Sequence, residues 1–145
     1  MLQPKDEARL DSLARAFRTV CRQRLSDVQP REEFTDRLVV TVPALHPETG
    51  DIVVWLDGDE VTVGIGEYFH CHFETDEAEG VPQAERERLA AERAVEFIAS
   101  FMAGSIVVRV RRERGRVVSA GTHPVDTQRS APDADETDYL WSGPR

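Results

Sequence analysis

Ile52-Val53-Val54-Trp55-Leu56-Asp57-Gly58-Asp59-Glu60-Val61-Thr62-Val63-Gly64-Ile65 holds two β-rich runs joined by a turn signal. Side chains on a strand alternate faces, so Ile52, Val54 and Leu56 share one side with Val61, Val63 and Ile65. That side is apolar throughout and reads as core. The other side carries Val53 and Trp55 near Thr62, Gly64 and Gly66, an arrangement that lets a large indole lie over glycines of the neighbouring strand. Asp57-Gly58 is a favoured pair for a two-residue hairpin turn, whose central positions take positive φ. An antiparallel hairpin is the unit from which the rest is read.

Tyr68-Phe69-His70-Cys71-His72-Phe73 alternates again. Phe69, Cys71 and Phe73 fall on the core side, and Tyr68, His70, His72 and Glu74 on the other. Gly64, Gly66 and Glu67 between the runs predict a bend or bulge. Upstream, Leu38 to Val42 is a β-branched strand stopped by Pro43, and Lys5 to Val28 has the apolar spacing of one amphipathic helix before Pro30. Downstream, Pro82 to Met102 is a second helix, with Ala91, Ala94, Val95, Ile98, Phe101 and Met102 as its buried stripe and Gly104 past its end. Ile106 to Val110 and Arg116 to Ala120 form a closing strand pair through a turn at Arg114-Gly115. The order α-β-β-β-β-α-β-β predicts an α+β fold, an antiparallel sheet of about five to six strands with helices on one face. Residues 1–121 read as one domain. Residues 122–145 read as a C-terminal tail, surface-hugging from Thr122 to Thr137 and docked through Tyr139-Leu140-Trp141.

A chain of 145 residues is sized for one core. The start lacks the basic-then-apolar pattern of a secretory signal, and no apolar run nears the ~20 residues that span a bilayer. A cytoplasmic protein with no membrane partner is expected. Cys21 and Cys71 suit that compartment as ordinary reduced thiols. The net charge of −9 argues against nucleic acid as a partner. The distribution is more telling than the sum. From Ala44 to Val81 there are ten acidic residues and no Lys or Arg, whereas from Ser105 to Val118 the balance reverses, with Arg109, Arg111, Arg112, Arg114 and Arg116 against Glu113 alone. A one-signed surface steers an oppositely charged partner.

His70-x-His72 points two imidazoles the same way, as a metal pair would need, with His46 or Glu74 as candidates to complete it. Zinc sites require three or four protein ligands, so no metal and no cofactor is expected. Were a metal bound, His70 and His72 would hold it. Cys71 faces away from both histidines, which removes the base a nucleophilic thiol needs. Asp57-Gly58-Asp59-Glu60 lacks the further acidic positions of a calcium loop. Gly64-Ile65-Gly66 has Phe69 where a dinucleotide fingerprint needs its third glycine. No catalytic motif appears, and a non-enzymatic role is expected. What remains is a face of Trp55, Tyr68, His70 and His72 set among Asp57, Asp59, Glu60 and Glu74, the aromatic-in-charge composition of a binding surface.

The block Glu60 to Phe73, the helix segment Ala94-Val95-Glu96-Phe97-Ile98 and the ending Tyr139-Leu140-Trp141-Ser142-Gly143 together resemble small immunity proteins of bacterial polymorphic-toxin and contact-dependent inhibition systems. The resemblance covers about a third of the chain. It implies a cytoplasmic antidote that binds a cognate toxin domain and blocks it without chemistry. An acidic face would suit a basic, nuclease-type toxin. Two other readings stand beside it: a metal- or small-molecule-binding enzyme-like domain centred on His70 and His72, and a structural subunit that forms a homodimer through the same face.

Overall fold

A computed structural model of the chain describes residues 2–75, 80–125 and 132–144. Among them are the helices α1 (Pro4–Glu7), α2 (Ser12–Arg24) and α3 (Gln83–Met102). The strands are β1 (Arg31–Phe34), β2 (Leu38–Val42), β3 (Ile52–Leu56), β4 (Glu60–Ile65), β5 (Phe69–Glu74), β6 (Ile106–Glu113), β7 (Arg116–Pro124), β8 (Glu136–Leu140) and β9 (Gly143–Pro144). The fold is α+β, with two antiparallel sheets. One is the meander β1-β2-β3-β4-β5; the other has the order β7-β6-β8-β9.

The β3–β4 hairpin has the expected faces. Leu56 pairs with Val61, Val54 with Val63 and Ile52 with Ile65, and all six side chains are buried. Its corner sits one residue later than the Asp57-Gly58 dipeptide predicts. The Asp57 N–H donates to the Glu60 carbonyl (3.0 Å) and the Asp59 N–H to the Asp57 carbonyl (2.7 Å), and only Gly58 of the corner has positive φ, at 73°. Core pairing sets the register here, because a one-residue slip would turn every apolar side chain to the wrong face. The link from β4 to β5 is the turn Gly66-Glu67-Tyr68, with Gly66 at φ 58°.

Three further expectations change. The single helix from Lys5 to Val28 is divided, because Asp11 caps α2 by accepting from the Ala14 N–H (2.8 Å). A strand is added at the sheet edge, β1, whose Arg-Glu-Glu-Phe sequence carries too much charge to read as β. The closing strands do not extend the first sheet but begin a second one. There β8 pairs with β6 from Val108↔Tyr139 to Arg111↔Glu136, so residues 136–140, read as tail, are an inner strand. β7 also runs on to Pro124, past the expected boundary at residue 121.

One contiguous core joins these layers. Helix α3 contacts β4 and β5 of the first sheet and β6 of the second, while α2 packs along it. Its stripe of Ala90, Ala91, Ala94, Val95, Ile98 and Phe101 is fully buried, the alanines allowing close approach of α2. At its C-terminal end Phe101 meets Trp141 edge-on (ring centroids 6.0 Å apart), which fastens the chain's last turn to the core. The small buried carboxylate Glu87 accepts the Ser12 hydroxyl through both oxygens (2.9 and 2.7 Å), tying the start of α2 to α3. Phe101→Ala should therefore lower unfolding free energy by about 3–5 kcal/mol in urea titration. The same truncation at exposed Val118 should move it by no more than about 0.5 kcal/mol.

Candidate functional site

The strand pairings lay out the face opposite the core as rows. One row runs Glu33, Val39, Trp55, Thr62, His72 across β1 to β5; the next runs Arg31, Thr41, Val53, Gly64, His70. Helix contacts fall on the other face, and Trp141 is buried against Phe101, so neither a helix nor that indole covers these rows among the described residues. His70 and His72 are exposed, and Trp55 is half-buried. The indole lies over Gly64: a Cβ there would come within 2.9 Å of it. Glycine at this position lets Trp55 lie flat on the sheet as an apolar platform.

Carboxylates rim the platform. Glu60 and Glu74 are register partners on adjacent strands, a placement of like charges that disfavours pairing and concentrates negative potential. Glu60 Oε1 lies 3.1 Å from His72 Nδ1, and Thr62 Oγ1 lies 3.0 Å from the same nitrogen. A carboxylate only accepts, so the Glu60 contact is a hydrogen bond in the tautomer with hydrogen on Nδ1. The His70 and His72 rings meet edge to face, 5.3 Å apart. Asp57 and Asp59 stand at the hairpin corner; Asp57 pairs with Arg37, and the Asp59 carbonyl accepts from the Thr75 N–H (3.0 Å) and hydroxyl (2.8 Å). Asp76, Glu77 and Glu79, in the expected acidic loop, lie outside the described residues.

Tyr68 stands elsewhere. It sits in the turn before β5, where strand alternation does not apply, and its ring stacks on Tyr139 at 4.7 Å. Its hydroxyl donates to the Thr49 carbonyl (2.7 Å), and burial pushes that hydroxyl's pKa up. Tyr68 thus joins the two sheets, with Thr49 completing the link by donating to the Leu140 carbonyl (2.7 Å). His46 is drawn to the same region: a Cβ on Gly143 would lie 2.7 Å from its ring. The structure does not bring His46 to His70 and His72. Among the described residues, three ligand atoms converge at Asp133, Asp135 and Glu136, on the far sheet, and not at the histidine pair.

Sequence reasoning missed the strand β1 and hence Glu33 and Arg31 as the outer margin of the face. Their signal is present only in hindsight of pairing, since a charged four-residue edge strand has no apolar alternation to detect. It also could not see that the two charge blocks have different fates. The later block is only partly neutralised: Arg109 forms a two-pronged pair with buried Asp138 (2.7 and 3.0 Å) and Arg111 pairs with Asp135 (2.8 Å), whereas Arg112 lies against Tyr139 and Arg114 and Arg116 are exposed. Against the acidic block stand only Arg37, on Asp57, and Arg31, 4.0 Å from Asp51, among the described ion pairs from Lys and Arg.

Cys71 faces inward with Phe69 and Phe73, whose rings pack on Phe97 (6.1 and 6.0 Å). Burial pushes its thiol up to about 11. The buried Cys21 thiol is raised by the same cause.

No protein-family model matches this chain, and no curated protein and no solved structure matches it.

The Cys71 shift gives a test of the inward assignment. A thiol whose pKa is raised on folding holds its proton longer in the folded state, so its contribution is intact below the unfolded value of 9.0. That contribution is lost as pH rises through about 11. The stability of the wild type relative to Cys71→Ala should therefore fall across this window, and Cys71 should react with a thiol reagent at pH 8 far more slowly in the native protein than in urea.

Proposed function

We propose that the protein is a non-catalytic binding module of the immunity type, which docks the outer face of β3, β4 and β5 onto a basic toxin domain and occludes its working surface. The observation that carries this reading is a sheet face that no described helix covers: an indole laid over Gly64, flanked by exposed His70 and His72 and by Glu60 and Glu74. A large aromatic at the centre of a charged rim is the composition of a binding hot spot. The charge beside the platform on β4 and β5 is acidic, with Arg31 at the outer margin of the face, while Arg109 and Arg111 are paired on the second sheet. Such a field raises the encounter rate with a cationic partner and disfavours anionic ones. Support for the immunity class in particular comes from the resemblance of Glu60 to Phe73 and Tyr139 to Gly143.

A blocking role needs no reactive group. The inward thiol at Cys71 and the engagement of His72 with Glu60 and Thr62 fit that role. A cytoplasmic location is part of the proposal, since the antidote has to meet the toxin where the toxin acts. Among the described residues no helix is long and apolar enough to cross a membrane.

The test begins with the gene directly upstream. Its C-terminal domain, expressed alone, should arrest growth, and co-expression of this chain should restore it. With the two purified, Asp59→Lys combined with Glu60→Lys should slow association and flatten its dependence on ionic strength. Trp55→Ala should instead speed dissociation, weakening binding by roughly 2 kcal/mol or more. Growth arrest that this chain fails to relieve, or a double charge reversal that leaves the association rate unchanged, would count against the proposal.

A further inference from the structure

At one end the outer face drops into a cleft of about 770 Å³, bounded by the loop from Ala44 to Asp51, the turn Gly66-Glu67-Tyr68 and the β6–β7 hairpin. Its floor is Val53, a member of the outer row that includes Gly64 and His70, so the cleft and the open face are one continuous surface. The two bounding segments meet backbone to backbone: a Cβ on Gly50 would lie 2.7 Å from Gly66 Cα, and both glycines have positive φ, 84° and 58°. Any larger residue would force the segments apart. The construction therefore fixes the backbone of the two segments, which carry the exposed Glu48 and Glu67.

We infer that this cleft receives an arginine side chain of the protein partner, together with the stretch of main chain that bears it. This rests on the reading of the outer face as the docking surface for a basic domain. Glu48 and Glu67 are exposed, and neither forms an ion pair among the described residues. Asp51 is held in place because its Oδ1 accepts the Ala44 N–H (2.7 Å), with the other oxygen 4.0 Å from Arg31. Tyr68 supplies a flat wall whose orientation is set twice, by the Thr49 carbonyl and by the stack on Tyr139. Carboxylates on a fixed backbone beside an aromatic ring match the planar, multi-donor guanidinium better than a point charge. Arg112 closes the far end, its guanidinium 5.7 Å from the Tyr139 ring centre. A guanidinium there would repel an incoming arginine as it would a metal ion, so the partner's positive side chain belongs at the Glu48 and Glu67 end. Arg112 instead donates to a main-chain carbonyl. The occupant is thus a peptide segment with acceptors next to its positive side chain.

The probe is a six-residue arginine peptide titrated into the isotope-labelled full chain, with binding followed at each backbone amide by NMR. The largest shifts should fall on Gly50, Val53, Gly66 and Tyr68. Glu48→Gln with Glu67→Gln should weaken the peptide roughly fivefold, the size expected for two exposed charge contacts, with an unchanged melting temperature. A peptide of six glutamates should leave these amides in place. Shifts confined to the Asp57–Glu60 corner, absence of shifts at the cleft, or an affinity indifferent to the double variant would each overturn the assignment. The wider proposal survives those outcomes if the chain still relieves growth arrest, and fails separately if it does not.

Discussion

Helix α3 has to satisfy two sheets at once, and the rest of the structure follows from how it does so. Its middle, from Ala90 to Ile98, is buried against the helix α2 and the first sheet, while its end delivers Phe101 to the second sheet's Trp141. A helix can bury only the stripe it presents, so both sheets must bring their apolar faces to the same side. Among the described residues no helix lies on the opposite face of β3 to β5. An open sheet face in an antiparallel meander is ordinary; here it carries Trp55, half-buried over Gly64. The constraint that makes the core also exposes the surface to which function is assigned.

Legibility tracked how strongly burial filtered the sequence. Where a strand is apolar on one side, as in Ile52 to Ile65 and Phe69 to Phe73, alternation predicts both the strand and its faces. The stripe of α3 was legible for the same reason. β1 was not, because a short edge strand of Arg31, Glu32, Glu33 and Phe34 buries little and reads as loop. Tyr68 was misplaced by extending parity across a turn, and the Asp57-Gly58 corner moved by one residue because pairing of Leu56 with Val61 outweighed the turn dipeptide. The division into two sheets was hidden for a different reason. It depends on β8 finding β6 across a long connection, and no local pattern records that pairing.

Charge told a similar story at longer range. Counting residues finds an acidic block and a basic block, and both look like candidate surfaces. Folding sorts them. Asp138 is buried and takes the guanidinium of Arg109 with two hydrogen bonds, and Asp135 takes Arg111, so part of the basic block is engaged locally while Arg112 lines the cleft beside the acidic loop. The cost of desolvating both charges offsets much of their attraction, so such a buried pair adds little net stability. The acidic block meets few cations of its own and keeps its field. At physiological ionic strength that field reaches about 8 Å, enough to orient an approaching basic domain but not to hold it. In the proposed complex, holding falls to the apolar contact of Trp55 and to the side chain that enters the cleft beside Tyr68.

The central claim is that the outer face around Trp55 is where the partner sits, and the chain's two tryptophans allow a direct test. Trp141 is buried, whereas Trp55 lies on the open face. In a Trp141→Phe background, paired with a partner domain whose own tryptophans have been replaced, the remaining emission reports Trp55 alone. Binding should shift that emission to the blue and shield it from an uncharged quencher. Saturating partner with unchanged emission and unchanged quenching would place the interface elsewhere and contradict the account.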